Sequence, residues 1–415
     1  MPPARPPTPS PPDVALHHLE HLLLTQAEAP QLSREDEAAR DRAWHQALRH
    51  NPRLFDGPAA ACAAMTWQKP HHLALSWARV TYRHYALRRL PGNTAALPAL
   101  FVAVLQPTDD GRLLLGRMSP STAAPGCWQL PGGSVEPPTQ KHTELGEAAL
   151  RDHAARELAE ETGINAAGEE LRLWALTHSR NRNVGVLYLA PPRPADLLRS
   201  GFEAATAAEH ARGAEPEFDR IAFVRSAAQL ADLDGPQVDH LHPVVHRHAL
   251  ATELLRRRDI DQEARELLPR NGPWPTELIR RMEQIDRYNT AFLKEVVAAH
   301  GWPGYTAVGP QAADAAWLLA QHADASPDFQ EHARQLLEAA VAEDDAPRRH
   351  LAYLTDRCRV AQGRPQLYGT QYYDDNDGTG LRPRPIADPD GLDARRATAG
   401  LPPHAQHHAR IRGQS

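Results

Sequence analysis

Apolar residues recur along this chain with two different periods, and the change between them divides it. Helical spacing comes first, over Val14–Leu24 and Ser33–His50. The second of these opens at Ser33 with Glu35, Asp36 and Glu37 in its first turn, where carboxylates meet the positive end of a helix. From Leu54 to about Leu90 the apolar stretches shorten and fill with Trp, Tyr and Val, and Leu73–Val80 alternates as a strand does. Between Leu97 and Pro191 strand and turn signals become dense. Phe101–Leu105 predicts a strand, Asp109-Asp110-Gly111 a hairpin turn and Arg112–Gly116 the returning strand. Trp128–Gly133 leads through a loop to a predicted helix over about Ala148–Thr162, with Gly163 placed to close it. Leu171–His178, Val184–Ala190 and Ile221–Val224 read as further strands, followed by a helix from Ser226 and a His-rich turn at Val238–Pro243.

After about Pro243 the strand signal disappears. Helical patterns occupy Ala249–Leu268, Thr276–His300, Pro310–His322, Asp328–Glu343 and Pro347–Gln362, the text of a helical bundle. The expected organisation is a disordered Pro-rich tail over 1–12, N-terminal helices over 13–50 and a strand-rich domain over 51–248. A helical linker over 249–278, a helical domain over 279–401 and a disordered His-rich tail over 402–415 follow. A length of 415 residues suits such a two-domain chain.

Charge and composition then remove several function classes. With 46 basic and 52 acidic residues the formal charge is −6, which gives no bulk attraction to nucleic acid. No apolar run approaches the length of a membrane span, and the N-terminus lacks the apolar core of a signal peptide. Cys62, Cys127 and Cys358 lie far apart with no CxxC pair, which argues against a disulfide framework or a structural zinc site. A reducing cytoplasm is the expected home.

The chemistry concentrates in three segments: Leu130-Pro-Gly-Gly-Ser-Val-Glu136, Gly146-Glu147, and Arg156-Glu-Leu-Ala-Glu-Glu-Thr-Gly-Ile164. On the predicted helix, Glu157, Glu160 and Glu161 stand three and four positions apart and crowd one face. Like charges so placed are unfavourable unless a cation neutralises them. Carboxylate oxygens favour Mg²⁺ or Mn²⁺ over zinc. Arg156 can hold a neighbouring carboxylate in orientation, and Gly132-Gly133 lets backbone carbonyls approach an ion with no Cβ in the way. An isolated acidic helix face is ordinarily just solvated; the upstream glycines, the terminal Gly163-Ile164 and the flanking strands weigh against that here.

These residues resemble the Nudix box, G-x5-E-x7-R-E-U-x-E-E-x-G-U with U aliphatic. Arg156 to Ile164 matches at every defined position, whereas Glu147 lies too far from Gly133 and one position too far from Arg156. The surplus falls around Pro137–Leu145 and in the first helical turn, where insertions are tolerated best. The resemblance implies a mixed sheet in an α/β/α sandwich, joined here to a mostly α-helical C-terminal domain. It also implies hydrolysis of a nucleoside diphosphate linked to another group, with Glu157, Glu160, Glu161 and the Gly133 carbonyl holding Mg²⁺ or Mn²⁺. Arg156 would orient and Glu147 would support the loop. Relatives often take another glutamate from a later loop. Glu217, six positions before Phe223, is preferred over Glu215 for that role, against the alternative of an ordinary polar loop.

Asn51–Gly57, the Tyr82 and Tyr85 region and the enlarged loop resemble the Nudix branch that cleaves UDP-glucose and UDP-galactose to UMP and a sugar 1-phosphate. A UDP-sugar is therefore the leading substrate. ADP-ribose-like compounds and modified nucleotides are its competitors. Trp67, Trp77, Tyr82 and Trp128 could stack on a base, but such residues are more often core.

The stretch from about Ile279 to Leu401 resembles the bacterial family DUF6624, of unknown function. The resemblance rests on Asp286-Arg-Tyr-Asn289, His300-Gly-Trp-Pro303, Gln321-His-Ala-Asp324, Leu351–Arg357, Gln366–Gln371 and Pro385-Ile386. His322, Asp324, Asp356, Arg357 and Gln371 lie near predicted helix ends, either converging on a pocket or forming a network that fixes helix packing. Two readings of the whole chain follow. In one an active hydrolase is joined to a helical half that meets a ligand, a protein partner or a second copy. In the other a Nudix-fold sensor binds nucleotide without turnover and controls that half. A separate enzyme in the helical half is a third, supported by the polar cluster alone.

Overall fold

The computed structural model describes residues 14–90, 93, 95–139, 144–179, 183–268, 274–374 and 380–413. The Pro-rich segment 1–12 lies outside them, as do residues 140–143 of the enlarged loop. The chain forms two compact units, 1–249 and 250–415.

The first unit contains, in chain order, β1 (Val14–His18), β2 (His21–Ala27), α1 (Arg34–His50), β3 (Pro58–Lys69), β4 (His72–Thr81), β5 (Ala99–Leu105), β6 (Leu113–Met118) and β7 (Trp128–Gln129). Then come α2 (Glu147–Thr162), β8 (Arg172–Ser179), β9 (Asn183–Leu189), α3 (Ala195–Ala211), β10 (Phe218–Val224) and α4 (Leu241–Glu266), whose residues to Ala249 belong here. Seven strands form a mixed sheet in the order β1-β8-β9-β5-β3-β4-β2, and a smaller antiparallel sheet runs β10-β6-β7. β5 lies parallel to β9, pairing Ala99 with Asn183 through Leu105 with Leu189.

Because side chains alternate along a strand, each central strand feeds two cores. Leu100, Val102 and Val104 of β5 and Val184, Val186 and Tyr188 of β9 pack with Leu150, Ala154 and Leu158 of α2. The intervening Ala103, Leu105 and Leu187 pack with Leu241, Val244 and Val245 of α4. The sheet thus lies between helices. Leu150 and Leu158 are fully buried, each contributing about 1.5–3 kcal/mol, and they anchor α2 against the sheet.

Three expectations need correction. Val14–Leu24 is β1 and β2 rather than a helix, so only α1 of the expected helices over 13–50 forms; there Ser33 caps by accepting from the Asp36 N–H at 3.1 Å. β1 pairs with β8 and β2 runs parallel to β4, at the two ends of the large sheet. Open sheet edges outweigh a weak local helical period. Next, the stretch taken as a linker is not one: α4 continues to Glu266 and delivers Leu254 to the helical core. Finally, the C-terminal tail folds into a helix over His404–Ile411 with His407 buried.

The second unit continues α4 with α5 (Thr276–His300), α6 (Tyr305–Val308), α7 (Pro310–Gln321), α8 (Pro327–Ala342) and α9 (Arg348–Ala361). The short hairpin β11 (Tyr372–Tyr373) and β12 (Arg382–Pro383) precedes α10 (Leu392–Thr398) and α11 (His404–Ile411). Ala312, Ala313, Ala315, Ala316, Leu319 and Ala320 make α7 its buried centre. Among the described residues no helix is long and apolar enough to cross a membrane.

Candidate active site

α2 sets the site. It starts at Glu147 behind Gly146 and ends at Gly163, whose φ of 71° is the left-handed turn expected of a glycine after a helix. The incoming loop runs against β5: the Val104 N–H donates to the Pro131 carbonyl at 2.7 Å and the Val102 N–H to the Gly133 carbonyl at 3.0 Å. That bond takes one of the two lone pairs of the Gly133 oxygen and leaves the other open.

At Gly132 only glycine fits. Its φ is 152°, and a Cβ there would stand 2.2 Å from the Val102 carbonyl oxygen. A Cβ on Gly133 would meet Glu157 Oε2 at 2.6 Å, so the loop passes directly over that carboxylate. Glu161 lies beneath, 5% exposed. Its Oε2 accepts from the Gly132 N–H at 2.7 Å, while Oε1 is buried without a hydrogen-bond partner. Burial, and then the charge of Glu217, hold the Glu161 carboxyl well above the usual carboxylate range. The Gly132 hydrogen bond opposes the shift; Glu157 and Glu160 add to it.

Glu217 immediately precedes β10 and lines the same cleft as Gly133 and Glu160. Though exposed as a residue, its carboxyl is raised by lost hydration and by the charges of Glu157, Glu160 and Glu209. Glu215 is engaged elsewhere, accepting from Arg53 Nη1 at 3.0 Å. The fold therefore brings Glu157, Glu160, Glu161, Glu217 and Gly133 together. Glu147 stays apart and pairs with Arg151 one turn along α2.

Arg156 departs from expectation. It is exposed and meets no carboxylate among the described residues; its Nη2 donates to Nδ1 of His153 at 2.8 Å. His153 Nε2 in turn lies 2.8 Å from Glu157 Oε1. Sequence reasoning passed over His153. The signal for it was the i, i+3 and i, i+4 spacing from His153 to Arg156 and Glu157.

The cleft measures 1150 Å³. Its walls also carry Arg53, Phe55, Tyr82, Arg88 and Asn183, with Arg88 Nη1 donating to Asn183 Oδ1 at 2.7 Å. Of the aromatics considered for stacking, Tyr82 lines this cleft, Trp77 and Trp128 are core, and Trp67 packs at 5.5 Å against His17. The acidic set suits a hard divalent cation on two independent observations: an orphaned, buried carboxylate oxygen in a like-charge cluster, and a glycine cradle that any side chain would fill.

The polar residues singled out in the helical unit separate into three groups. Arg357 Nε donates to Asp324 Oδ1 at 2.9 Å and its Nη1 to Gln371 Oε1 at 3.0 Å. Asp356 is wholly buried and accepts from the backbone N–H groups of Leu367, Tyr368 and Thr370, which fixes that turn. His322 Nδ1 sits 3.0 Å from Asp261, which with Asp286 offers ligand atoms within 4.8 Å of one another. Arg265 pairs with both carboxylates, at 2.7 and 2.9 Å, and supplies their counter-charge, so this trio is satisfied as a packing network between helices.

Comparison with known proteins agrees with the two-part reading. Residues 97–243 match the model of the NUDIX domain, and residues 248–412 match DUF6624, a family of unknown function. No curated protein matches. Among solved structures, a MutT protein from Methanosarcina mazei Go1 is 18% identical over 46% of this chain and 96% of its own, at a TM-score of 0.21. A Nudix hydrolase from M. smegmatis, RenU, is 18% identical over 33% and 74%, at a TM-score of 0.19. Shewanella oneidensis NrtR is 17% identical over 48% and 85%, at a TM-score of 0.22. The large sheet takes β1 to β4 from residues before the NUDIX match. Residues 97–243 of this chain are a NUDIX domain and residues 248–412 a DUF6624 domain.

Proposed function

We propose that the first unit hydrolyses the phosphoanhydride of a nucleoside diphosphate linked to another group, best a UDP-sugar, giving NMP and a sugar 1-phosphate. The observation that carries this reading is the buried, half-partnered carboxylate of Glu161 among Glu157, Glu160 and Glu217. Three α2 carboxylates and the second lone pair of the Gly133 carbonyl would hold Mg²⁺ or Mn²⁺. When bound, the ion neutralises phosphate charge and polarises the phosphoryl oxygens.

The chain's own residues do the rest. Glu217, with a carboxyl of raised proton affinity on the cleft wall, accepts a proton from the attacking water. Arg156 acts on the α2 carboxylates through His153 rather than by direct contact. A cleft of 1150 Å³ has room for a nucleotide and its linked group, and Arg53 and Arg88 in its lining suit an anionic substrate. The three buried free cysteines suit a cytoplasmic location.

The test is a phosphate-release screen of the purified chain with Mg²⁺ or Mn²⁺, coupled to phosphatase so that NMP and sugar 1-phosphate are detected. The panel comprises UDP-glucose, other sugar nucleotides, ADP-ribose, NADH, dinucleoside polyphosphates and oxidised nucleoside triphosphates. Turnover of one class, abolished by Glu161→Gln, is the expected result. Tight nucleotide binding by calorimetry with no turnover of any class would replace the hydrolase by a sensor.

A further inference from the structure

His153 belongs to no part of the Nudix pattern, yet it stands between two residues that do. It is 6% exposed on α2, one turn before Arg156 and Glu157. A guanidinium has only N–H groups to give, so the 2.8 Å contact from Arg156 Nη2 makes Nδ1 of His153 the acceptor. The ring proton of the neutral imidazole must then sit on Nε2. That nitrogen lies 2.8 Å from Glu157 Oε1, a close polar contact whose angle is outside that of a hydrogen bond, so that a small turn of either side chain would complete one. The other oxygen, Oε2, is the one nearest Gly133 on the cleft wall.

We propose that His153 is the positioning residue of the site: with its tautomer fixed by Arg156, it holds Oε1 of Glu157 and leaves Oε2 for the divalent cation. The inference rests on the reading of the α2 glutamates as cation ligands. It assigns to Arg156 a task performed through a second side chain, and it explains why an exposed arginine in an acidic site bonds an imidazole rather than a carboxylate. Groups that brace a ligand in this way change metal affinity by about 10–100-fold when removed.

Arg156 provides a test by sign. If it acts only as a positive charge beside the acidic cluster, Arg156→Ala tightens cation binding, because a repelling charge has gone. If it acts through His153, the same substitution loosens binding. Mn²⁺ affinity of the full-length chain is measured by water-proton relaxation, without substrate, for the wild type, His153→Ala, His153→Gln, Arg156→Ala and Glu157→Gln.

The expected results are a loss of about tenfold for His153→Ala and a smaller loss for Arg156→Ala. His153→Gln, whose amide can still donate to Glu157, recovers much of the affinity. The double variant His153→Ala/Arg156→Ala should be no worse than His153→Ala, since both act through one contact. Tighter Mn²⁺ binding by Arg156→Ala, or wild-type affinity in both His153 variants while Glu157→Gln binds weakly, overturns the role of His153 and leaves the cation site standing. Unchanged affinity in Glu157→Gln itself would instead remove the reading on which the inference rests. Arg156→Ala changes an exposed side chain and decides the sign even if His153→Ala does not fold.

Discussion

The backbone N–H of Gly132 donates to Glu161 Oε2 at 2.7 Å, while the other oxygen of that carboxylate is buried with no partner. Half of the carboxylate is thus anchored and half is unbonded among the described residues, as the proposed cation site requires. An acid whose pKa is raised by folding binds its proton more tightly folded than unfolded, so its contribution to stability falls as pH rises from about 4.3 through the folded value. Each unit of such a shift corresponds to about 1.4 kcal/mol. Glu161→Gln removes this burden. In a chelator at pH 8 the variant should melt above the wild type, and the gap should narrow toward pH 5. Saturating Mn²⁺ should reverse the order, because about 2.7 kcal/mol is gained at a hundred times Kd by a protein that binds it. Turnover should drop at least ~10²-fold. Calorimetric melting of both proteins at pH 5 to 8 measures the effect, and a lower melting point for the variant in chelator at pH 8 would contradict it.

Adjacent glycines should fail in different ways. A Cβ at Gly132 collides with backbone, 2.2 Å from the Val102 oxygen and 2.6 Å from Ala103 Cα, at a φ that L residues avoid. Gly132→Ala should cost about 2–5 kcal/mol of stability. The three atoms nearest a Cβ at Gly133 all belong to the end of the Glu157 side chain, the closest at 2.6 Å. Gly133→Ala should melt within about 1 kcal/mol of the wild type in chelator yet bind Mn²⁺ at least ~10-fold more weakly. Melting curves with and without Mn²⁺ separate the two, and equal damage to stability in both variants would refute the distinction.

Two nearby glutamates should also differ. Glu217 faces the α2 carboxylates and its pKa is raised, whereas Glu215 is paired with Arg53. Glu217→Gln should lower turnover by about 10²–10⁴-fold if it takes the proton of the attacking water. Glu215→Gln removes an exposed ion pair worth about 0–1 kcal/mol and should leave kcat within about threefold. Steady-state rates on the substrate found in the screen decide it, and the reverse order would move the base to Glu215.

The parts of this fold legible in the sequence were those whose local and long-range demands agree. α2 carries a helical period, a closing glycine and a run of carboxylates, and it forms over Glu147–Thr162, one residue from its predicted start. β5 and β9 read as apolar runs because helices cover both sheet faces. β1, β2 and α11 were not legible, since each depends on a partner far along the chain. Val14 pairs with Ser179, His21 with His72, and His407 buries its ring edge-on to Tyr353. The site divides the same way. Glu157, Glu160 and Glu161 could be named from spacing on one helix, and Gly133 from its neighbour. The link from Arg156 through His153 was carried only by spacing along α2, a signal that a histidine inside an amphipathic helix shares with ordinary core positions.

The helical unit should be dispensable for the chemistry. The site glutamates and the whole cleft lining come from residues 51 to 240, and α4 ends at Glu266. A chain terminated after Glu266 keeps that helix intact and should retain kcat/KM within about threefold. Its weakness is the apolar surface of Leu250, Leu254 and Leu255, which pack in the second unit's core. The full-length variant Asp356→Ala avoids that problem. It leaves the N–H groups of Leu367, Tyr368 and Thr370 unsatisfied in a buried turn, at a cost of about 3–5 kcal/mol confined to the helical unit. Turnover should then persist at temperatures above the first of two melting transitions. Loss of turnover at that first transition, or in a truncated chain that circular dichroism shows to be folded, would mean that residues beyond Glu266 take part in catalysis.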